Sequence, residues 1–166
     1  MINTAVRRAA VLLATLAIPV ILLVAPLPAS AATSGSLCET NGVYCVNTAN
    51  FSYYTPATES RTNARTIEVE AQIAPPGTDE LVFKGDTSKC LGATNDGTKA
   101  EIKPCNGGSD IFWIKETSGS SAYWENTGAT STIGTKMYLS GNESPGSQYV
   151  LAAKGKNGTY QLFEFR

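Results

Sequence analysis

The chain has 166 residues, 16% of them charged, and a formal net charge of −1, which suits one domain and gives no pull toward polyanions. Its 13 Lys and Arg against 14 Asp and Glu form no basic cluster, so nucleic acid is excluded as a partner and anionic membrane binding is disfavoured. Histidine is absent, which removes Ser-His-Asp and Cys-His nucleophile activation, His-ligated metals and the usual general base near neutral pH.

The first element in chain order is an export leader. Arg7 and Arg8 form a basic start, an apolar stretch runs over 9–25, and Pro26-Leu27-Pro28-Ala29-Ser30-Ala31 closes it. Ala29 and Ala31 are the small residues that signal peptidase needs, which places cleavage after Ala31. A retained anchor fits less well, because roughly 17 apolar residues is the lower limit for spanning a bilayer and Pro19 interrupts the run. The expectation is a signal peptide over 1–31, a secreted, extracellular domain over 32–166, and no membrane contact after cleavage. Two basic residues precede the cut and all 14 carboxylates follow it, leaving 11 against 14 and a net charge of −3.

Strands are expected next over 36–39 and 43–48. If Asn41-Gly42 is a two-residue hairpin turn, Cys38 faces Cys45. Cys38, Cys45, Cys90 and Cys105 are an even set in an oxidising compartment, so two disulfides are expected. Three connectivities exist; local geometry favours Cys38–Cys45 and Cys90–Cys105. Cysteine spacings of 7, 45 and 15 match no zinc pattern, and no metal or other cofactor is expected.

Phe51-Ser52-Tyr53-Tyr54 then offers two readings: exposed tyrosines that contact a ligand, or, favoured, another strand packed on the body of the fold. A strand over 65–71 sets Glu68 and Glu70 on one face and Ile67 and Val69 on the other. Carboxylates at that spacing sit roughly 6.5–7 Å apart in backbone terms, within reach of glycoside hydrolysis, though a solvated strand face explains them more simply. Further strands follow over 81–84, 89–93, 100–104, 111–115, 122–125, 136–140, 148–152 and 160–165. No stretch beyond the leader has a helical period. Eleven short strands in one domain require a closed or two-layered all-β fold that covers its edges. Trp113 and Phe163 alternate with polar residues as core positions do, and Tyr123-Trp124 leans the same way. Gln161, facing inward, needs buried backbone partners.

A threefold echo runs through these strands. Leu37-Cys38 leading to Tyr44-Cys45-Val46-Asn47 parallels Val82-Phe83 leading to Lys89-Cys90-Leu91-Gly92, and Tyr123-Trp124 leading to Met137-Tyr138-Leu139-Ser140. Each unit continues with an alternating strand: Thr66 to Glu70, Ala100 to Pro104, and Gln148 to Ala152. Cys90 to Ile102 and Tyr138 to Val150 are both twelve residues. The second and third units finish with Ile111-Phe112-Trp113 and Gln161-Leu162-Phe163. Three four-strand units describe a β-trefoil.

Lys89-Cys90-Leu91, Gly97-Thr98, Pro104-Cys105-Asn106-Gly107-Gly108 and Trp113 together resemble one repeat of the ricin B-type β-trefoil lectins. Gln161-Leu162-Phe163 is similar to that family's closing element, with phenylalanine for tryptophan. The match is best over 81–115, weaker over 122–166, and lacks a closing element over 36–80. The resemblance implies a disulfide between Cys90 and Cys105, and shallow carbohydrate pockets, one per unit, without catalysis. It also implies losses. The position of the sugar-gripping aspartate holds Asn47, Gly92 and Ser140, and the aromatic platform becomes Lys103, with Leu151 in the third unit. The asparagine before the closing glutamine becomes Asp110 and Tyr160, and in the second unit that glutamine is Ile111. A sugar site needs an acceptor for two hydroxyls and a flat ring against the sugar's C–H face, and no unit keeps both.

The reading from sequence is thus a secreted, non-catalytic binding protein with carbohydrate as its ligand class. The candidate contacts are Ser140, Asn142, Tyr160 and Gln161 in the third unit, then Asn106 and Asp110 in the second. The alternative is a trefoil that binds a secreted or surface protein, such as a protease inhibitor, through loops 50–64 and 126–136. A glycosidase using Glu68 and Glu70 ranks last.

Overall fold

The computed structural model describes residues 34–41, 43–61, 68–142 and 144–166. The expected leader, Gly42 of the expected turn, the start of the 65–71 strand and Glu143 lie outside the described residues.

Twelve strands carry the fold: β1 (Ser34–Glu39), β2 (Tyr44–Thr48), β3 (Ala57–Arg61), β4 (Glu68–Ile73), β5 (Asp79–Phe83), β6 (Lys89–Ala93), β7 (Ala100–Pro104), β8 (Phe112–Ser118), β9 (Ser121–Asn126), β10 (Tyr138–Ser140), β11 (Val150–Ala152) and β12 (Phe163–Phe165). One helix, α1 (Thr127–Ile133), joins β9 to β10. Antiparallel pairing runs β1 to β4, β4 to β5, β5 to β8, β8 to β9, β9 to β12, and β12 back to β1. Six strands therefore close into a barrel, and closure removes the exposed edges that short strands otherwise present. The other six form three hairpins, β2–β3, β6–β7 and β10–β11. Each hairpin touches the next, through Pro56 against Glu101, Lys99 against Val150, and Gln148 against Thr58. Three four-strand units in this arrangement are the β-trefoil expected from the echo.

The core lies where barrel and hairpins meet. Val46, Leu91 and Leu139 occupy matching places on β2, β6 and β10, and all three are fully buried with Leu37, Leu81 and Phe163. Trp113 is also fully buried, and its indole N–H donates to the Leu91 carbonyl at 2.8 Å, so the polar end of this large side chain is satisfied. Both disulfides form as expected. Cys38–Cys45 crosses the β1–β2 pair and Cys90–Cys105 ties β6 to the residue after β7. Among the described residues no helix is long and apolar enough to cross a membrane.

Four details correct the sequence reading. First, the third strand of unit one is β3, not the segment around Glu68 to Glu70. That segment is β4, which closes unit one on the barrel, with Val69 inward and Glu68 and Glu70 exposed. β3 escapes a periodicity search because its inward residue opposite Val46 is Glu59, where the other units place Ile102 opposite Leu91 and Leu151 opposite Leu139. Second, part of loop 126–136 is helical. Asn126 caps α1 by accepting from the Ala129 N–H at 2.9 Å, and Gly134 ends it in the left-handed conformation, φ 80°. Third, residues 51–54 are bends and turn, not a strand. Fourth, the third unit's hairpin holds one more residue than the second's, so Ala152, not Leu151, stands where Lys103 stands.

Candidate functional site

The residues singled out in the third unit are mostly committed to the fold. Ser140 is fully buried on β10, and its hydroxyl accepts from the Asn157 amide at 2.6 Å. Gln161 is fully buried and bonds backbone only. Its oxygen accepts from the Gly155 N–H at 2.6 Å, and its amide donates to the carbonyls of Ala152 and Ala153. Tyr160 is half-buried, and its carbonyl accepts from the Gly141 N–H at 2.9 Å. Asn142 is exposed, but the Glu59 carboxylate takes its N–H and that of Ser144, the latter at 2.8 Å. Glu59 is thus buried and anchors the β10–β11 loop. Of these four candidates, Asn142 and Tyr160 reach the surface.

In the second unit the structure assembles a denser group. Lys103 is 4% exposed. Its ammonium lies 2.9 Å from the Asn95 amide oxygen, 3.2 Å from the Glu101 carboxylate and 3.2 Å from the Asp110 carboxylate. Burial works against the charge, but hydrogen bonds donated to Glu101 and Asp110 outweigh it and hold the ammonium pKa above its ordinary value. The lysine stem passes over Gly92, where a Cβ would stand 2.6 Å from Lys103 Cγ. The departures at positions 92 and 103 are therefore linked: the bare backbone at Gly92 leaves the space that the lysine stem fills. Asp110 is held from behind, since its carbonyl accepts from the Asn126 amide at 2.8 Å. Asn106 is exposed, and its side-chain oxygen accepts from the Gly108 N–H at 3.2 Å, shaping a turn.

The sequence reading missed what lies beside this group. The loop between β2 and β3 reaches across from unit one, and the Asn50 side chain organises it by accepting from the Ser52 N–H and the Thr55 hydroxyl. Its far end docks on β7, with the Tyr54 N–H donating to the Ile102 carbonyl at 2.8 Å and the Ile102 N–H donating to the Thr55 carbonyl at 2.9 Å. Tyr54 sits at φ 62°, a left-handed conformation that a bulky residue enters only when its surroundings impose it. Its ring, 63% exposed, covers the Lys103 ammonium at 5.2 Å. Tyr53 is 44% exposed, with Lys89 5.6 Å from its ring, and Phe51 packs edge-on against Phe83. Lys89 also pairs with Asp86 at 2.6 Å, and that contact, with Ser88, holds the Asp86 carboxyl down at about 2.

The exposed Tyr54 ring from unit one thus covers an ammonium held by two carboxylates and an amide from unit two. Such a surface can stack against the apolar face of a ligand while accepting its hydroxyl protons. Lys103, fixed between two carboxylates, is held as a proton-bearing ammonium and not as a nucleophile or base. Among the described residues one grouping approaches metal-ligand spacing, Glu80 with Cys90 and Cys105, and both sulfurs are spent in the disulfide.

No family model matches the sequence, and no curated relative does. Solved structures do share the fold. The designed threefold-symmetric protein ThreeFoil superposes with a TM-score of 0.65 at 12% identity, over 80% of this chain and 96% of its own. A mosquitocidal holotoxin matches with a TM-score of 0.68 at 10% identity, over 83% of this chain and 17% of the toxin's. A chicken (gallus) interleukin-1β variant gives 0.60 at 9% identity, over 80% and 94%. The chain spans only a small part of the toxin's length but nearly all of the other two.

Proposed function

We propose that this chain is a secreted, non-catalytic binding module that takes carbohydrate on the face where Tyr54, next to Tyr53, covers the Lys103 ammonium held by Asn95, Glu101 and Asp110. One observation carries the reading. Tyr54 is held in a costly backbone conformation with its ring in solvent, directly above a fixed polar group that supplies acceptors. A packing role does not account for a tyrosine displayed at that cost. The two disulfides suit an oxidising compartment, and the trefoil fold is compatible with a binding role.

A glycan array with the wild-type chain, Tyr54→Gly and Tyr160→Ala tests the proposal. Glycan signals lost in Tyr54→Gly and kept in Tyr160→Ala support this face. The reverse pattern moves the site to the third unit, and an array flat for the wild type removes carbohydrate altogether. A second reading, a trefoil that binds a secreted protein such as a protease, draws on the same three aromatics, because Phe51, Tyr53 and Tyr54 are of the type enriched at protein interfaces. Inhibition of a panel of secreted proteases, abolished by Tyr54→Gly, would favour it. Loop 126–136 contributes less to that reading now that α1 is packed against the Asp110 turn.

A further inference from the structure

A second concavity lies between β9 and β12, beside the turn from β8 to β9, and holds about 140 Å³. Three aromatic residues wall it: Trp124, Phe163 and Phe165, the first and last meeting edge-on with ring centres 6.0 Å apart. Lys115 and Ser121 stand at its rim with Glu164. Cavities of about 150 Å³ with apolar walls take one benzene ring, so this space suits a single six-membered ring.

The polar groups around it are unbalanced. Trp124 is 1% exposed and its indole N–H is buried without an acceptor, whereas the indole of Trp113 is bonded to Leu91. Buried donors are nearly always paired, and this open one belongs to a ring that lines the cavity. Lys115 lies with its ammonium 5.6 Å from the Trp124 ring and makes no ion pair among the described residues. The carboxylate that feels it is Asp79, which burial raises above its ordinary pKa and Lys115 pulls partway back. Glu164, also at the rim, makes no ion pair with Lys115 among the described residues and gives its Oε1 to Arg166. The Lys115 ammonium thus stands as the charged donor at the rim of these aromatic walls, beside the Trp124 ring.

We infer that this cavity is a binding site for a small carboxylic acid bearing one ring, its carboxylate facing Lys115 and its ring lying among Trp124, Phe163 and Phe165. The site is separate from the Tyr54 face, and the inference does not depend on carbohydrate binding. Benzoate is the probe of matching size and charge, and benzyl alcohol is its neutral counterpart.

The chain has two tryptophans, so a ¹⁵N-labelled sample shows two indole N–H resonances, and Trp113 is a built-in control. Benzoate should move the Trp124 resonance saturably and leave that of Trp113 in place. Benzyl alcohol should bind roughly tenfold more weakly or worse, and Lys115→Met should weaken benzoate by a similar factor. Loss of benzoate selectivity in Lys115→Met with an otherwise unchanged spectrum supports the site. No saturable shift by about 50 mM benzoate, or equal binding of acid and alcohol by the wild type, overturns it. The wild-type comparison decides the matter even if the variant does not fold.

Discussion

Gly92 and Lys103 show how one missing side chain redirects a site. Any Cβ at position 92 would meet Lys103 Cγ at 2.6 Å, the Asp110 carbonyl at 3.0 Å and Ile111 Cγ2 at 3.1 Å. Two of those neighbours sit on fixed backbone or in the core, so the crowding has little room to relax. Gly92→Ala should therefore cost about 1–3 kcal/mol, as overpacking does, read as a lower urea midpoint with an unchanged slope. Tyr54 carries strain of the opposite kind, displayed in place of avoided. Tyr54→Gly removes the left-handed penalty, and the stability should rise by about 1 kcal/mol, less glycine's extra entropy in the unfolded chain. A variant more stable in thermal melts yet weaker on its ligand is the combination that marks a residue kept for binding; lower stability would count against that role.

At the scale of elements, the strands were legible where their inward residues are apolar. β6 and β7 have the boundaries expected of them, because Leu91, Ala93, Ala100 and Ile102 recur at every second position and are all fully buried. β3 was not legible because Glu59 holds a core position, and nothing local says that its carboxylate will find backbone N–H groups some eighty residues away. The Tyr54 face was illegible for the same reason: its rings and its carboxylates come from different units and meet only through the docking of a loop on β7. Asn50, a turn former ahead of three aromatics, was the available signal that 51–54 would not run as a strand. Nor did α1 announce itself, since its Thr-Gly-Ala-Thr-Ser-Thr-Ile sequence has weak helix propensity. The helix depends on its cap. Asn126→Ala removes the bond to Ala129 and leaves the Asp110 carbonyl without its amide, and should cost about 1–2 kcal/mol in denaturant unfolding.

Over the whole molecule, ion pairs tie neighbouring units together, while each disulfide closes a loop within one unit. Glu116 on β8 binds Lys154 and Lys136 and accepts from the Tyr138 hydroxyl, and these partners hold its carboxyl down from 4.5 to about 2. Between those values the unfolded chain binds a proton that the folded one refuses, so stability rises with pH there. The contribution is present above about pH 4.5 and disappears as the pH falls to 2, and Asp86 acts in the same direction. Glu116→Gln should flatten the stability profile between pH 5 and 2, as read by urea midpoints across that range; an unchanged slope would refute the assignment. The disulfides close loops with separations of 7 and 15 residues, so chain entropy assigns them about 2.5 and about 3 kcal/mol. Serine at Cys90 and Cys105 should therefore lower the denaturation midpoint slightly more than serine at Cys38 and Cys45. The barrel's seam has a consequence of another kind. Leu37 pairs with Phe165 and Glu39 with Phe163, so the strand that completes the ring is synthesised long after the one it must meet. The barrel cannot shut until β12 is made; the early β1–β2 hairpin waits, already able to form its own sulfur bridge. Completing the fold is thus a matter of topology, and a chain truncated before Phe163 should remain protease-sensitive.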